Sequence, residues 1–255
     1  MPVSEWEQET EAALAAAATE GGNGDNKRVY VRRIFSQIAP RYDLLNHLLS
    51  FNVDKAWRRR AIATLEWQRA PDGTYVDLCA GTLDVAAELS RQPGFRGHVV
   101  GADFAEPMLR AGLGKAPRSL VGPVVADALE LPLRDDSVSG ATVAFGIRNV
   151  ANLDAALREV HRVLEPSARF VILEFTTPRA RLVRALYHLY FHHLLPRIGA
   201  LISGHCTAYA YLPKSVANFP AEEALAARMR DAGFTDVAWR TLSLGVAAIH
   251  RGTKP

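Results

Sequence analysis

The sequence predicts an α/β fold in which a mostly parallel sheet is covered by helices on both faces. Between Thr74 and Phe175, short β-type runs alternate with helical segments, as in sheets whose parallel strands are joined by crossover helices. Acidic residues stand at the carboxyl ends of the first strands, where open α/β sheets bind their ligands. The last two predicted strands have a tight connection, so we expect them to be antiparallel.

The central strands are short runs rich in apolar and β-branched residues, bounded by turn residues. They are predicted at Thr74 to Leu78, Gly97 to Asp103, Leu120 to Ala126, Ser139 to Phe145 and Arg169 to Phe175, with the terminal pair at Val237 to Leu242 and Gly245 to Arg251. The helices between and after them show apolar residues at helical spacing. They are predicted at Asp84 to Arg91, Glu106 to Lys115, Leu153 to Leu164 and Glu222 to Ala232, with a long helix or helix pair at Arg179 to Ile202. The segment from Tyr209 to Pro220 is predicted to be rich in turns.

The N-terminal part divides into a tail and a helical cap. Residues 1–26 are rich in Ala and Glu and end in glycines, which favours a flexible tail before a single domain at 27–255. The cap spans residues 27–66, and a substrate-side lid is expected at 179–220. Three helical patches are predicted in the cap, at Val29 to Gln37, Asp43 to Leu49 and Asp54 to Leu65, with Pro40 separating the first two.

Composition narrows the class of protein. A net charge of +3 over 255 residues is too small to indicate nucleic-acid binding. Cys79 and Cys206 lie far apart, which favours a reducing compartment over a disulfide scaffold. The N-terminus is acidic where a secretory signal would be basic, and the apolar run from Leu182 to Ile202 contains six charged, His or Pro residues. We therefore expect a cytoplasmic protein that could contact a membrane only from its side.

The segment from Val76 to Asp84 predicts a nucleotide site. It follows the first strand and opens a helix, and Gly81 lets the backbone approach a ligand closely. Asp103 ends the next strand and could accept both hydroxyls of a ribose, while Asp127 ends the third strand and could meet an adenine amino group. The alternative for each acid is a structural helix cap. The G-x-G-x-x-G turn of dinucleotide dehydrogenases is missing, which favours a smaller adenosine ligand.

Motifs outside the nucleotide half are more specific. They begin with Phe35-x-x-Ile38-Ala39-Pro40-Arg41-Tyr42-Asp43-x-x-Asn46-x-x-Leu49-Ser50 and Trp57-Arg58, and continue with Phe145-Gly146-Ile147-Arg148-Asn149-Val150 and Leu173-Glu174-Phe175. The later ones are Leu195-Pro196-Arg197-Ile198-Gly199, Tyr209-x-Tyr211-Leu212-Pro213-x-Ser215, Phe219-Pro220 and the run from Gly245 to Gly252. Together they resemble the ubiquinone/menaquinone biosynthesis C-methyltransferase family over nearly the whole chain from about Val29.

The resemblance implies a class I methyltransferase fold: a Rossmann-like, seven-stranded, mostly parallel sheet with an antiparallel last strand. It also implies S-adenosylmethionine as methyl donor, no metal, and a polyprenyl quinol of menaquinone or ubiquinone synthesis as acceptor. A homodimer and a peripheral membrane contact stay open. The residues expected to bind the cofactor are Tyr42, Asp77, Cys79, Gly81, Thr82, Asp103, Phe104, Met108, Asp127, Ala128 and Phe145.

Five positions depart from the family pattern. Leu83 stands where the cofactor turn usually has a glycine, and its side chain could crowd the methionine end of the cofactor. Ser167 and Ala168 replace a Gly-Gly pair, and Ser139 replaces an Asp. His205 stands where an acid is usual. These changes leave the identity of the acceptor open.

Methylation of a hydroquinone ring requires a group that accepts a proton. A hydroquinone ring carbon becomes nucleophilic when a neighbouring hydroxyl is deprotonated, and donor and acceptor must then be aligned. We expect Arg148 and Asn149 to line the reaction site, with Arg148 stabilising the phenolate or ordering a water. A salt bridge is the alternative role for Arg148, because an arginine is a poor base. His205 is the candidate proton acceptor.

Aromatic residues are candidates for the acceptor pocket. Tyr187, Tyr209 and Tyr211 are predicted to border it, or to pack against the lid. Tyr42 is expected to close over the cofactor together with Asp43, and ordinary packing explains Tyr42 equally well. The histidines at 188, 192 and 193 lack the further ligands of a metal site, so a polar stripe is expected there.

The apolar residues from Leu186 to Phe191 predict a channel for a prenyl tail, or a simple core helix. Arginines 58 to 60, 179, 181 and 184 could attract anionic lipid, although runs of this kind are more often solvated faces. Two other functions stay open. One is a methyltransferase for another small phenolic acceptor, and the other is a non-catalytic scaffold of a quinone-biosynthesis complex.

Overall fold

A computed structural model describes residues 24–44, 50, 52–190 and 206–255. Its seven strands form one sheet in the order β3-β2-β1-β4-β5-β7-β6. The strands are β1 (Thr74–Leu78), β2 (His98–Asp103), β3 (Val121–Val125), β4 (Val138–Ala144), β5 (Leu164–Phe175), β6 (Thr235–Leu242) and β7 (Ala247–Thr253).

The first five strands are parallel, and β7 runs antiparallel to both β5 and β6. The predicted class of fold is therefore confirmed. Strand β1 has β2 on one side and β4 on the other, so the chain order reverses at β1. The carboxyl ends of β1 and β4 consequently open a crevice at the switch point, where sheets of this kind bind ligands.

Helices cover both faces of this sheet. They are α1 (Gly24–Ile38), α2 (Val53–Leu65), α3 (Asp84–Ser90), α4 (Glu106–Gly112), α5 (Leu153–Val163), α6 (Arg181–Leu189), α7 (Cys206–Ala217) and α8 (Glu222–Asp231). On one face, Ile62 of α2 and Leu89 of α3 are buried in a core with the sheet residue Val171. On the other face, Val160 of α5 and Met229 of α8 are buried in a second core.

Three boundaries differ from the sequence prediction by three or more residues. Helix α1 begins at Gly24, within the segment assigned to the tail, and α4 ends at Gly112 instead of Lys115. Strand β5 begins at Leu164, five residues early, and a register shift in its pairing with β4 accommodates the added residues.

The prediction of a turn-rich segment from Tyr209 to Pro220 was wrong, because most of it is helix α7. The misleading signal was Pro213, which lies inside the helix. A proline removes one backbone donor and usually ends a helix, but tertiary contacts can hold the chain helical on both sides of it. Here Tyr211, two residues before Pro213, is buried against Tyr30 of α1 with 5.7 Å between ring centroids.

Helix α1 lies over the carboxyl ends of the strands. The ammonium group of Lys27 donates hydrogen bonds to the carbonyl oxygens of Arg148 (3.0 Å) and Val150 (2.8 Å), just beyond β4. Tyr30, Val31 and Ile34 are buried on its inner face. The N-terminal cap therefore forms the roof of the crevice. Among the described residues, no helix is long and apolar enough to cross a bilayer.

Candidate active site

A cavity lies between α1 and the carboxyl ends of β1 to β4. Ten of the residues singled out from the sequence line it: Tyr42, Cys79, Gly81, Asp103, Phe104, Met108, Asp127, Ala128, Phe145 and Asn149.

Asp103 is the most constrained of the acids in this cavity. It ends β2, and its two carboxylate oxygens accept backbone hydrogen bonds from Gly81 (2.8 Å) and Ala105 (2.8 Å). Burial raises the pKa of Asp103, and these two hydrogen bonds oppose that shift. Each oxygen keeps a second lone pair, so the carboxylate is held in place to accept two hydroxyl donors from a ligand.

The turn after β1 brings backbone close to the cavity. Gly81 has a φ of 52°, and a Cβ there would lie 3.3 Å from Cε of Met108 and 3.9 Å from Cε1 of Tyr42. A side chain at this position would therefore intrude between the walls of the cavity. The absence of one leaves a backbone cradle next to Asp103.

Leu83 does not crowd the cavity, contrary to the expectation from its position. Its backbone is left-handed, with φ 64° and ψ 23°, and its buried side chain points into the protein core. There it fills the space beside Gly101 and Gly112, where an added Cβ would lie 2.4 Å and 3.0 Å from Leu83 side-chain atoms. The backbone thus keeps a glycine-like conformation while the side chain packs away from the ligand.

Two residues predicted to bind the cofactor lie behind the cavity wall. Asp77 is fully buried, and its Oδ2 accepts a hydrogen bond from the backbone of Ala86 in α3 at 3.1 Å. Its carboxyl therefore supports the helix, and burial raises its pKa to about 8. Thr82 is also buried, and its hydroxyl donates to Oδ1 of Asp43 at 2.5 Å.

Asp43 ties the N-terminal cap to the cofactor turn. Besides accepting from Thr82, it pairs with Lys115 at 2.5 Å, and the same ammonium group pairs with Asp84 at 2.5 Å. The neighbouring Tyr42 lines the cavity and packs edge-on against Phe35, with 5.9 Å between ring centroids. The packing considered for Tyr42 is therefore present, and its closure over the cofactor stays a prediction.

Asp127 already has a protein partner. Its Oδ2 lies 2.6 Å from Nη2 of Arg28 in α1, and its Oδ1 accepts from the backbone of Leu129 at 2.9 Å. Arg28 also lines the cavity. A ligand amino group approaching Asp127 must therefore share the carboxylate with Arg28.

Arg148 and Glu174 form a buried ion pair beside the cavity. Nη1 of Arg148 lies 2.6 Å from Oε1 of Glu174 and also donates to the carbonyl oxygen of Phe145, while Nε donates to the hydroxyl of Ser215 at 3.3 Å. Burial raises the pKa of Glu174, and Arg148 opposes that shift. The salt bridge considered for Arg148 is therefore present, and Nη2 donates to none of the described residues.

Three residues predicted to line the reaction site or the acceptor pocket are buried. Asn149 is buried, and its Oδ1 has no hydrogen-bond partner within the described part of the chain. Tyr187 and Tyr211 are also buried, and burial raises the pKa of Tyr211 to about 12. Burial likewise raises the pKa of Tyr187, and the charges of Arg148 and Glu174 act on that hydroxyl.

Several predicted positions lie outside the described residues: His192, His193, His205 and the side chain of Tyr209. Sequence reasoning missed the roles of Arg28, Lys27 and Glu174. Arg28 and Lys27 fall in the segment next to the presumed tail, and no local pattern indicates their partners, which lie about a hundred positions away. Glu174 stood in a quoted motif, and an acid inside an apolar strand was the available signal. No group of three potential metal ligands is found where the chain is described.

A sequence profile described as the ubiE/COQ5 methyltransferase family matches residues 23–254. The chain is 51% identical over 225 residues to a demethylmenaquinone methyltransferase of Thermus thermophilus, covering 87% of this chain and 100% of that protein. It is 45% identical over 228 residues to the ubiquinone/menaquinone biosynthesis C-methyltransferase UbiE of Geobacter sulfurreducens, covering 88% of each.

Solved structures support the fold alone. A SAM-dependent methyltransferase from Thermotoga maritima, described as a possible histamine N-methyltransferase, has a TM-score of 0.60 at 20% identity and covers 88% of this chain and 99% of that one. The [4+2]-cyclase SpnF has a TM-score of 0.63 at 15% identity, covering 89% of this chain and 95% of that one. Since a cyclase shares the fold, the function has to be argued from the site.

Proposed function

The chain belongs to the ubiE/COQ5 methyltransferase family, and from this premise we propose that it transfers a methyl group from S-adenosylmethionine to a ring carbon of a polyprenyl quinol. The acceptor would be a demethylmenaquinol, a 2-methoxy-6-polyprenyl-benzoquinol, or both. Names of the relatives support this choice, since they are a demethylmenaquinone methyltransferase and a ubiquinone/menaquinone biosynthesis C-methyltransferase.

The observation that carries the proposal is the carboxylate of Asp103 beside the backbone cradle at Gly81. Both oxygens are fixed by backbone donors, and the glycine leaves room for a ligand between Met108 and Tyr42. A ribose diol suits such a carboxylate because it offers two adjacent hydroxyl donors. The residues present therefore fit an adenosyl group, with Asp127 and Arg28 at its base end. When bound, S-adenosylmethionine supplies an electrophilic methyl group.

The acceptor is proposed to lie on the opposite side of the cavity, towards Phe145 and Asn149. The amide oxygen of Asn149 would accept a hydrogen bond from a quinol hydroxyl, because this oxygen is buried and lacks a protein donor. Nη2 of Arg148 would stabilise the phenolate formed when the second hydroxyl of the quinol passes its proton to solvent water. Glu174, the carbonyl of Phe145 and Ser215 hold the other edge of the guanidinium, so its orientation is fixed before the acceptor arrives.

Methyl transfer to three acceptors tests the proposal. Purified protein is incubated with labelled S-adenosylmethionine and either demethylmenaquinol, a demethylated ubiquinol precursor or a water-soluble phenol, each kept reduced. We expect transfer to one or both quinols. Transfer only to the soluble phenol would contradict the choice of acceptor, and no transfer together with no cofactor binding would favour a scaffold.

Asp103→Asn separates cofactor binding from folding. The amide cannot accept the same charge-assisted hydrogen bonds, whose loss is worth about 1.5–3 kcal/mol. We therefore expect S-adenosylmethionine affinity, measured by calorimetry, to fall roughly 10- to 100-fold. The exposed Asp72→Asn replacement, away from the cavity, provides the matched control and should leave the affinity unchanged.

The acceptor also bears on where the protein works. We propose that it acts in the cytoplasm and contacts a membrane from the side, because a polyprenyl quinol is held in the bilayer. Tyr187, the buried residue of α6, would border the prenyl tail where it leaves the ring. Whether the protein forms a homodimer is a separate question for solution measurements.

A further inference from the structure

Helix α6 has a face of exposed leucines. Leu182, Leu186 and Leu189 are 74%, 59% and 53% exposed, which is high for large apolar side chains of a soluble domain. Successive residues of an α-helix are about 100° apart, so these three side chains project within a sector of about 60°. They therefore form one continuous apolar stripe along the helix, here named the leucine face.

Two arginines lie outside the leucine face. On the same helical geometry, Arg181 projects about 110° and Arg184 about 170° from the centre of the leucine stripe. Both arginines are exposed, and neither guanidinium forms an ion pair with the described residues. A helix with an apolar stripe on one side and positive charge on its remaining surface is suited to the interface of an anionic bilayer, where leucines enter the acyl region and arginines meet the headgroups.

The third side of α6 faces the active site. Tyr187 is the one residue of the helix that is buried, and it projects about 130° from the leucine face. Its hydroxyl lies within the electrostatic influence of Arg148 and Glu174. The same short helix therefore has one side towards the reaction site and another side exposed.

A fourth exposed leucine lies near the start of α6. Leu244, on the turn between β6 and β7, is 79% exposed and adopts a left-handed backbone with φ 59°. The following residue, Gly245, approaches Pro178, since an added Cβ would lie 3.3 Å from its Cα. Two separate elements thus present leucine to solvent at the same end of the sheet.

We propose that the leucine face of α6, with Arg181 and Arg184, docks the protein on an anionic lipid bilayer. The bilayer is favoured over a protein partner because the arginines complement anionic headgroups and because the other side of α6 borders the active site. The inference extends the proposed function, since docking here would place the mouth of the site against the lipid that holds a polyprenyl quinol. The leucine face enters the bilayer, and Leu244 adds a second point of entry.

Vesicle co-sedimentation tests the docking surface without any substrate. The full chain is mixed with vesicles of phosphatidylcholine alone or of phosphatidylcholine with phosphatidylglycerol. We expect binding to the anionic vesicles. The double change Leu182→Ser with Leu186→Ser should weaken this binding about tenfold or more, because each change removes a large apolar group that would be buried in the bilayer on docking. The control Leu113→Ser alters an exposed leucine on the loop after α4 and should bind as the unaltered protein does.

Charge reversal on α6 provides an independent test of the docking surface. Arg181→Glu with Arg184→Glu should reduce binding to anionic vesicles by at least about tenfold, because each charge near the surface is worth about a fivefold change. The control, Arg118→Glu with Arg134→Glu, makes the same change in net charge on other exposed loops. Equal losses in both pairs would show that net charge alone drives binding and would overturn the proposal.

Two further readouts separate this proposal from its competitors. If the leucine variant binds vesicles normally but converts a dimer to a monomer in sedimentation velocity, the face is an interface between copies and the proposal fails. If the variant loses methyl transfer to quinol in vesicles but keeps it for a short-chain quinol in solution, docking is supported. Vesicle binding without methyl transfer to any quinol would retain the docking surface and refute the proposed function.

Discussion

Arg148 and Glu174 form an ion pair in which Nη1 and Oε1 are 2.6 Å apart and both side chains are buried. Glu174 is the second-last residue of β5 and Arg148 follows β4, so the pair joins the ends of two neighbouring strands. The same arginine also binds the carbonyl of Phe145 and the hydroxyl of Ser215 in α7. The pair therefore couples the lid, the cavity wall and the sheet.

Removal of one partner should be strongly destabilising. Glu174→Gln leaves the Arg148 charge buried without its counter-ion, and such changes cost about 3–5 kcal/mol. We expect a loss of this order in the free energy of unfolding, measured by urea denaturation, together with a loss of methyl transfer. The double replacement Arg148→Met with Glu174→Met should be less destabilised than either single change, because it buries no unpaired charge.

A matched surface pair provides the control. Arg228 and Asp154 form an ion pair at 3.2 Å with both side chains about half exposed, and the change Asp154→Asn should cost less than about 1 kcal/mol. If Glu174→Gln were as mild as this, Glu174 would have to be protonated or solvated in the folded protein. The ion pair would then contribute little to the position of Arg148.

Leu83 allows backbone strain to be separated from packing. Its left-handed φ of 64° disfavours any residue with a Cβ, by about 1–2 kcal/mol, while its buried side chain stabilises the core. Leu83→Ala loses the packing and keeps the strain, whereas Leu83→Gly loses the packing and relieves the strain. We therefore expect Leu83→Gly to be more stable than Leu83→Ala by about 1 kcal/mol.

Leu89 serves as the comparison, because there we expect the Ala variant to be more stable than the Gly variant. It is equally buried, but it lies inside α3, where glycine is about 1 kcal/mol less stable than alanine. If Leu83→Ala were more stable than Leu83→Gly, as is expected for the same two changes at Leu89, the strain argument would be contradicted. Affinity for S-adenosylmethionine should stay unchanged in the stable Leu83 variant, because the side chain points away from the cavity.

The sequence predicted the sheet and its strand-end acids, but it could not predict their partners. Asp103 was found because a polar residue ending an apolar run is a local signal. Arg28 and Asp127 are 99 positions apart, and only the folded roof over the crevice brings them together. Pro213 shows the opposite failure, since its local signal for a turn was overridden by the packing of α7 against α1.

The contact between Arg28 and Asp127 predicts competition with the adenine amino group. Arg28→Ala frees the carboxylate, so adenosyl ligands should bind more tightly, by up to about fivefold, which is the strength of a partly exposed ion pair. The measurement is calorimetry with S-adenosylhomocysteine and with its deaminated inosine analogue. Only the ligand that carries the amino group should gain affinity.

Lys27→Ala is the companion variant for Arg28. It loosens the same helix by removing the bonds to the carbonyls of Arg148 and Val150, but it leaves Asp127 untouched. Lys27→Ala should therefore lower the affinity for both ligands by a similar factor. If Arg28→Ala bound both ligands more tightly by the same factor, the arginine would only obstruct entry to the cavity, and the amino group would not donate to Asp127.

Asp77 makes stability depend on pH in a defined direction. Burial raises its pKa from 3.8 to about 8, so the folded protein keeps a proton that the unfolded chain has lost between about pH 4 and 8. The folded state binds more protons in this window, and the free energy of unfolding therefore falls as the pH rises, by up to about 1.4 kcal/mol per pH unit from this one group. Above pH 8 the contribution is constant.

Asp77→Asn isolates that contribution, because the amide oxygen can still accept the hydrogen bond from Ala86 and carries no charge. Asp103 and Glu174, whose pKa values burial also raises, are present in both proteins, so their direct contributions cancel in the difference. The variant should gain stability relative to the unaltered protein steadily from pH 4 to 8 in urea titrations. A difference that stays flat across this range would mean that Asp77 is ionised in the folded protein at an ordinary pKa, and that the interior beneath the cofactor turn tolerates its charge.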